Sequence, residues 1–75
     1  MNLTYKGKTA IVTGACGGIG LKTSEKLLEN KITTLMLDIK KPPKNFIKKY
    51  KNAIFERIDL TNFLKLKKTI DSFNL

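Results

Sequence analysis

The spacing of apolar residues changes several times along this chain, and each change marks an element. Residues 9–13 (TAIVT) are a short run of apolar and β-branched residues between Gly7 and Gly14, which reads as a strand. From Ile19 the period becomes helical. Ile19, Thr23 and Leu27 recur every four residues with Leu28 beside them, while Lys22, Lys26 and Glu29 fall off that face. Residues 19–30 therefore read as a helix, closed by Asn30-Lys31. Residues 32–37 (ITTLML) are apolar or β-branched, as a strand covered on both faces should be. Pro42-Pro43 breaks the chain, and residues 44–51 read as a short lysine-rich helix or turn with Phe46, Ile47 and Tyr50 facing inward. Residues 53–58 form a third strand, interrupted by Glu56 and Arg57. Thr61 is a candidate N-cap for a last helix, on which Phe63, Leu66, Ile70 and Phe73 make one apolar stripe.

The order is β-α-β-α-β-α. Such alternation implies parallel strands joined by right-handed crossovers. The fold class expected is α/β, the N-terminal half of a Rossmann-type doubly wound parallel sheet with spatial order 3-2-1. In that arrangement the first strand exposes the edge that a fourth strand would cover.

The glycines between the first strand and the first helix carry the chemistry. Neither G-x-G-x-x-G nor the P-loop pattern fits residues 13–20 (TGACGGIG), nor do Gly7-Lys8-Thr9 stand after a strand as a P-loop ending must. The pattern that fits is T-G-x-x-x-G-x-G, on Thr13, Gly14, Gly18 and Gly20. Gly14 permits a sharp turn off the strand. Gly18, without a Cβ, lets the backbone approach a pyrophosphate, and Gly20 lets the helix pack tightly on the sheet. The helix start then offers N–H groups and the positive end of its dipole to phosphates.

Asp38 ends the second strand, eighteen residues after Gly20. A carboxylate there can accept from both ribose hydroxyls of an adenosine and would repel a 2′-phosphate, which selects NAD. Lys40 and Lys41 leave NADP as the second reading, although no basic residue lies within the glycine turn itself. Asp59 ends the third strand on the same side of the sheet. It is open to two readings, an acceptor for the adenine amino group or a helix cap shared with Thr61. Cys16 sits inside the turn as a small filler, or as a thiol activated by the helix start.

Composition adds little to this picture. One cysteine excludes an internal disulfide, and the lack of histidine excludes a Cys/His metal site. A lone thiol and the absence of a signal-peptide pattern or a long apolar run point to a cytoplasmic protein with no membrane partner. The net charge of +9 raises the possibility of nucleic acid. The lysines are scattered, however, and Arg57 is the only arginine, so the charge reads as solvated surface rather than a nucleic-acid interface.

Residues 7–20, read as G-K-x-A-x-V-T-G-A-x-x-G-I-G, resemble the start of a short-chain dehydrogenase/reductase. Asp38 at the second strand tip and Asp59-Leu60-Thr61, in the family's D-[VL]-[TS] position, extend the resemblance over nearly the whole chain. The segment FERIDLTN…KKTID is similar to insect alcohol dehydrogenases and NAD-dependent 15-hydroxyprostaglandin dehydrogenases. The resemblance implies hydride transfer between a nicotinamide and an alcohol or ketone, by a protein that is a homo-oligomer in full-length form. It places Thr13, Gly14, Gly17, Gly18, Ile19, Gly20, Asp38, Asp59 and Leu60 in cofactor-binding positions.

It also implies an Asn-Ser-Tyr-Lys catalytic set that this sequence lacks. Tyr5 is followed four residues later by Thr9 and Tyr50 by Ile54, and there is no N-N-A-G segment. The expectation is a partial domain spanning residues 1–75 that stops before the fourth strand and is inactive alone. Two departures from the family pattern stand out: Ser24 in place of Ala, and Asn30-Lys31 in place of Gly-Ala after the first helix, which removes the glycine suited to a left-handed cap.

Overall fold

The computed structural model describes residues 2–6 and 9–73. Gly7 and Lys8 of the motif lie outside the described residues. In chain order the elements are β1 (Asn2–Lys6), β2 (Thr9–Thr13), α1 (Gly18–Glu29), β3 (Thr33–Asp38), α2 (Phe46–Lys49), β4 (Ala53–Arg57) and α3 (Phe63–Phe73). Strands β2, β3 and β4 are parallel neighbours, so the expected β-α-β-α-β-α half of a doubly wound sheet is present.

One strand was not expected. β1 pairs antiparallel with β2 over its whole length, from Asn2 opposite Thr13 to Lys6 opposite Thr9. The outer edge of β2 would otherwise present a row of unpaired N–H and C=O groups. The preceding segment satisfies them, so this edge is covered.

β3 lies at the centre of the core. Thr34, Leu35, Met36 and Leu37 are all buried, which is why ITTLML carries no polar alternation. Burial of an aliphatic side chain of this size contributes roughly 1.5–3 kcal/mol. Successive side chains serve opposite faces. Val12 and Met36 pack with Leu28, Phe46, Tyr50 and Ala53, the face covered by α1 and α2. Ile11, Leu35, Leu37 and Ile58 pack with Leu66, Ile70 and Phe73 of α3.

The helix faces differ from the sequence expectation. Of the face read from spacing, Leu28 is buried and Leu27 packs half-buried on the core, but the other fully buried residues of α1 are Gly20 and Ser24, and Ile19 lies outside it. Ile19 is 76% exposed. The reason is the close approach of the first turn to the glycine loop, which only a glycine face permits. Ser24 is satisfied there by donating its hydroxyl to the Gly20 carbonyl at 2.9 Å. In α2, Phe46 and Tyr50 are buried as expected, with ring centroids 5.1 Å apart, but Ile47 is exposed. Phe63, placed on the inner stripe by spacing, is exposed at the first residue of α3.

Thr61 is not the cap of α3. Asn62 is: its Oδ1 accepts from the Lys65 N–H at 3.2 Å while its carbonyl accepts from Leu66 at 3.0 Å. Thr61 instead donates its hydroxyl and its N–H to Asp59 Oδ1, at 2.7 and 2.9 Å.

Candidate dinucleotide site

The parallel register brings the C-terminal ends of β2, β3 and β4 to one end of the sheet. Thr13 pairs with Leu37, Asp38 pairs with Arg57, and the Ile58 N–H donates to the Asp38 carbonyl at 3.0 Å. The glycine turn, Asp38 and Asp59-Leu60 therefore share that end, as the sequence suggested.

Each glycine of the turn has its own reason. Gly14 has φ 64°, in the left-handed region, so it performs the sharp turn expected of it. A Cβ on Gly20 would overlap the Gly14 carbonyl oxygen and come within 3.1 Å of Ala15 Cα. The helix thus packs tightly against the turn itself, rather than against the sheet as the sequence suggested. Gly17 and Gly18 are different. A Cβ on Gly17 would make an ordinary contact of 3.6 Å, and one on Gly18 would meet no atom within 4 Å. Neither position has a positive φ among the described residues. Folding does not require glycine at position 18; an open approach to the backbone there does.

That backbone is the start of α1. Gly17 is the N-cap and makes no side-chain capping bond, and no acid lies in the first turn. The leading N–H groups of a helix have no intrahelical partner and sit at the positive end of its dipole. Gly17, Gly18 and Ile19 are all exposed. Helix starts with these features suit an anion.

Asp38, half-buried, links β3 to the turn. Its Oδ2 accepts from the Cys16 N–H at 2.9 Å and its Oδ1 from the Lys40 N–H at 3.0 Å. Burial pushes its carboxyl up, but the N–H groups of Lys40, Cys16 and Ile39 and the charge of Lys40 outweigh that and hold it below the usual carboxylate value. Asp38 is thus a carboxylate at neutral pH. Asp59 is exposed, and its bonds from Thr61 likewise hold it low. Its bonds from Thr61 form a local turn ahead of α3, whose cap is Asn62, so the reading of a helix cap shared with Thr61 does not hold.

Cys16 is a filler. It is buried, and burial first, then the charge of Asp38, push its thiol up to about 11 against the opposing charge of Lys40. The helix start does not activate it.

Two features went unread in the sequence. The backbone partners of Asp38 depend on the turn geometry, which spacing does not give. Arg57 donates Nε to the Ile39 carbonyl at 3.0 Å beside Asp38, a neighbour visible only once the strand register is known.

An open glycine turn on a helix start, beside an acid at the next strand tip, defines a nucleotide-binding α/β protein of the doubly wound class. The family model described as short chain dehydrogenase matches residues 8–74, and the chain belongs to that family. It carries a dehydrogenase-type NAD(P)-binding region, and by that resemblance the protein is an oxidoreductase. No curated protein and no solved structure matched the chain. Among the described residues no helix is long and apolar enough to cross a membrane.

Proposed function

We propose that this chain is the cofactor-binding part of an NAD-dependent short-chain dehydrogenase that oxidises an alcohol. The observation that carries the reading is Gly18: a glycine that the fold does not need, on an exposed helix start whose N–H groups await an anion. Gly14, Gly17, Gly18, Ile19 and Gly20 would hold the pyrophosphate, with Thr13 at the strand tip beneath it. Asp38 would accept from the adenosine ribose, and Asp59 and Leu60 would border the adenine. The bound dinucleotide supplies the hydride acceptor. The substrate is an alcohol or its ketone, with the acid/base set supplied by polypeptide outside these residues. The working protein is a cytoplasmic homo-oligomer.

NAD over NADP rests on Asp38. It is ionised and would repel a 2′-phosphate, even with Lys40 and Arg57 close by. Fluorescence titration of the 75-residue chain with NADH and NADPH tests this. NADH is expected to bind at least about tenfold more tightly, a difference of about 1.4 kcal/mol. Equal affinity, or preference for NADPH, overturns the choice of cofactor.

A second reading, a non-catalytic adenine-nucleotide-binding module, draws on β1. A chain that folds alone must cover the edge of its first parallel strand, and β1 covers it. That reading expects NADH binding with no extension of the transcript into an N-N-A-G strand and a Tyr-x-x-x-Lys helix. Sequencing the transcript through codon 75 separates the two.

A further inference from the structure

Both carboxylate oxygens of Asp38 are engaged by backbone before any ligand arrives. The bond from the Cys16 N–H spans twenty-two residues and ties the glycine turn to the tip of β3. Beside it the Ala15 N–H donates to the Leu37 carbonyl at 3.2 Å. The turn thus hangs on β3 by two struts, and one of them is an ionisable side chain. Within the turn, the Gly17 N–H donates to the Gly14 carbonyl at 3.3 Å, so Cys16 lies inside the tight turn that leads into α1.

We propose that Asp38 is a positioning residue for the glycine turn: by accepting from the Cys16 N–H, its carboxylate sets the turn and the start of α1 in place while keeping capacity for a ligand. An ionised carboxylate offers about four lone-pair sites. Cys16 and Lys40 use one on each oxygen and the Ile39 N–H also acts on the carboxylate, which leaves one site for a ribose hydroxyl. The latch therefore leaves room for one ribose contact on the same carboxylate. This last step rests on the proposed function; the latch itself does not.

The charged and titratable groups around Asp38 come from three elements. Lys40, in the loop after β3, favours the carboxylate. Cys16, in the turn, is a neutral thiol at pH 7. Arg57, its register partner on β4, is held to the Ile39 carbonyl. Because the folded carboxyl lies below its ordinary value, the latch is complete above that value and is released as pH falls through the folded value. A neutral carboxamide cannot replace it. Asn has a single acceptor oxygen, and its NH2 would face an N–H, so one of the two backbone bonds must open.

The test is an NMR pH titration of the 15N-labelled 75-residue chain, with the Asp38→Asn variant at pH 7 as the second arm. The Cys16 and Lys40 amide protons should titrate together, with one midpoint below the ordinary carboxylate value. In the variant, hydrogen exchange at Cys16 or Lys40 should accelerate at least about tenfold, while Leu35 and Met36 in β3 stay protected; tenfold corresponds to about 1.4 kcal/mol of local opening. A Cys16 amide that ignores acidification while Lys40 responds overturns the latch. So does unchanged protection of both amides in the variant. If acid unfolds the chain first, the variant decides; if the variant does not fold, the titration decides. NADH titration of the wild-type chain is read separately. Titrating amides without NADH binding would leave the latch and remove the cofactor reading, and the converse result would do the reverse.

Discussion

A methyl group at Gly20 has no space, because the Gly14 carbonyl oxygen already fills it; a methyl group at Gly18 meets only open approach. The two glycines stand two residues apart in one motif, yet the fold needs only one of them to be glycine; the other carries the proposed ligand role. Gly20→Ala is therefore expected to destabilise the chain by about 2–3 kcal/mol through overpacking. Gly18→Ala should leave the melting temperature unchanged or raise stability by roughly 0.4–1 kcal/mol, since a compatible alanine narrows the unfolded ensemble. NADH affinity should nevertheless fall at least about tenfold in Gly18→Ala. Thermal melts and fluorescence titrations of both variants check the pair. A Gly18→Ala protein that binds as well as wild type would return Gly18 to the status of an ordinary loop residue. The turn at Gly14, the tight packing at Gly20 and the place of Asp38 at the end of β3 were legible because glycine spacing and strand length mark them in the sequence. The Cys16 N–H bond to Asp38 was not, because no side-chain pattern announces a backbone donor.

At the scale of elements, the end of α1 shows how the chain manages without a glycine cap. The Ile32 N–H reaches the Leu27 carbonyl at 3.0 Å and the Lys31 N–H reaches Leu28 at 3.1 Å, the bond pattern of a Schellman cap. Lys31 holds the left-handed position with φ 64°, where glycine is the usual occupant. Asn30 assists by donating Nδ2 to the Lys26 carbonyl at 2.7 Å. The sequence reading set the missing glycine at Asn30, but the left-handed position is Lys31, one residue later; the structure keeps the cap geometry and strains that lysine. Lys31→Gly is expected to raise stability by roughly 0.5–1 kcal/mol, as relief of the left-handed strain outweighs the entropy glycine adds to the unfolded chain. Urea unfolding of the variant tests it, and a destabilised variant would mean that the Lys31 side chain contributes more than its backbone strain removes. Strands β2 and β3 were readable because a buried parallel strand must be a continuous apolar run, whereas β4, buried only at Ala53, showed the weaker pattern that Glu56 and Arg57 interrupt. The helix faces were read less well. In α1 two of the three buried positions are Gly20 and Ser24, which hydrophobic periodicity does not count, and in α3 the first stripe residue, Phe63, lies out in solvent.

For the whole molecule, the alternation of strands and helices gave the layered sheet, while β1 stayed hidden. Asn2–Lys6 carries only the short alternation of Leu3 and Tyr5, and its reason for being a strand is the open edge of β2 rather than its own pattern. The lysines between Lys22 and Lys68 are all exposed and are spread over the three helices and their loops, so the excess charge is not gathered at the glycine turn. Three of them, Lys31, Lys49 and Lys51, border a cleft with Tyr50 and Asn52 near the starts of β3 and β4, the end of the sheet opposite Asp38. These two ends separate the central claim from its rival. The decisive measurement is a 15N–1H NMR titration of the chain with NAD. The account predicts saturable shifts confined to Gly14, Gly17, Gly18, Ile19 and Gly20 together with Asp38, Ile39 and Leu60. Shifts at Lys31, Lys49 and Lys51 with the glycine turn unmoved, or no shifts at all, would contradict it.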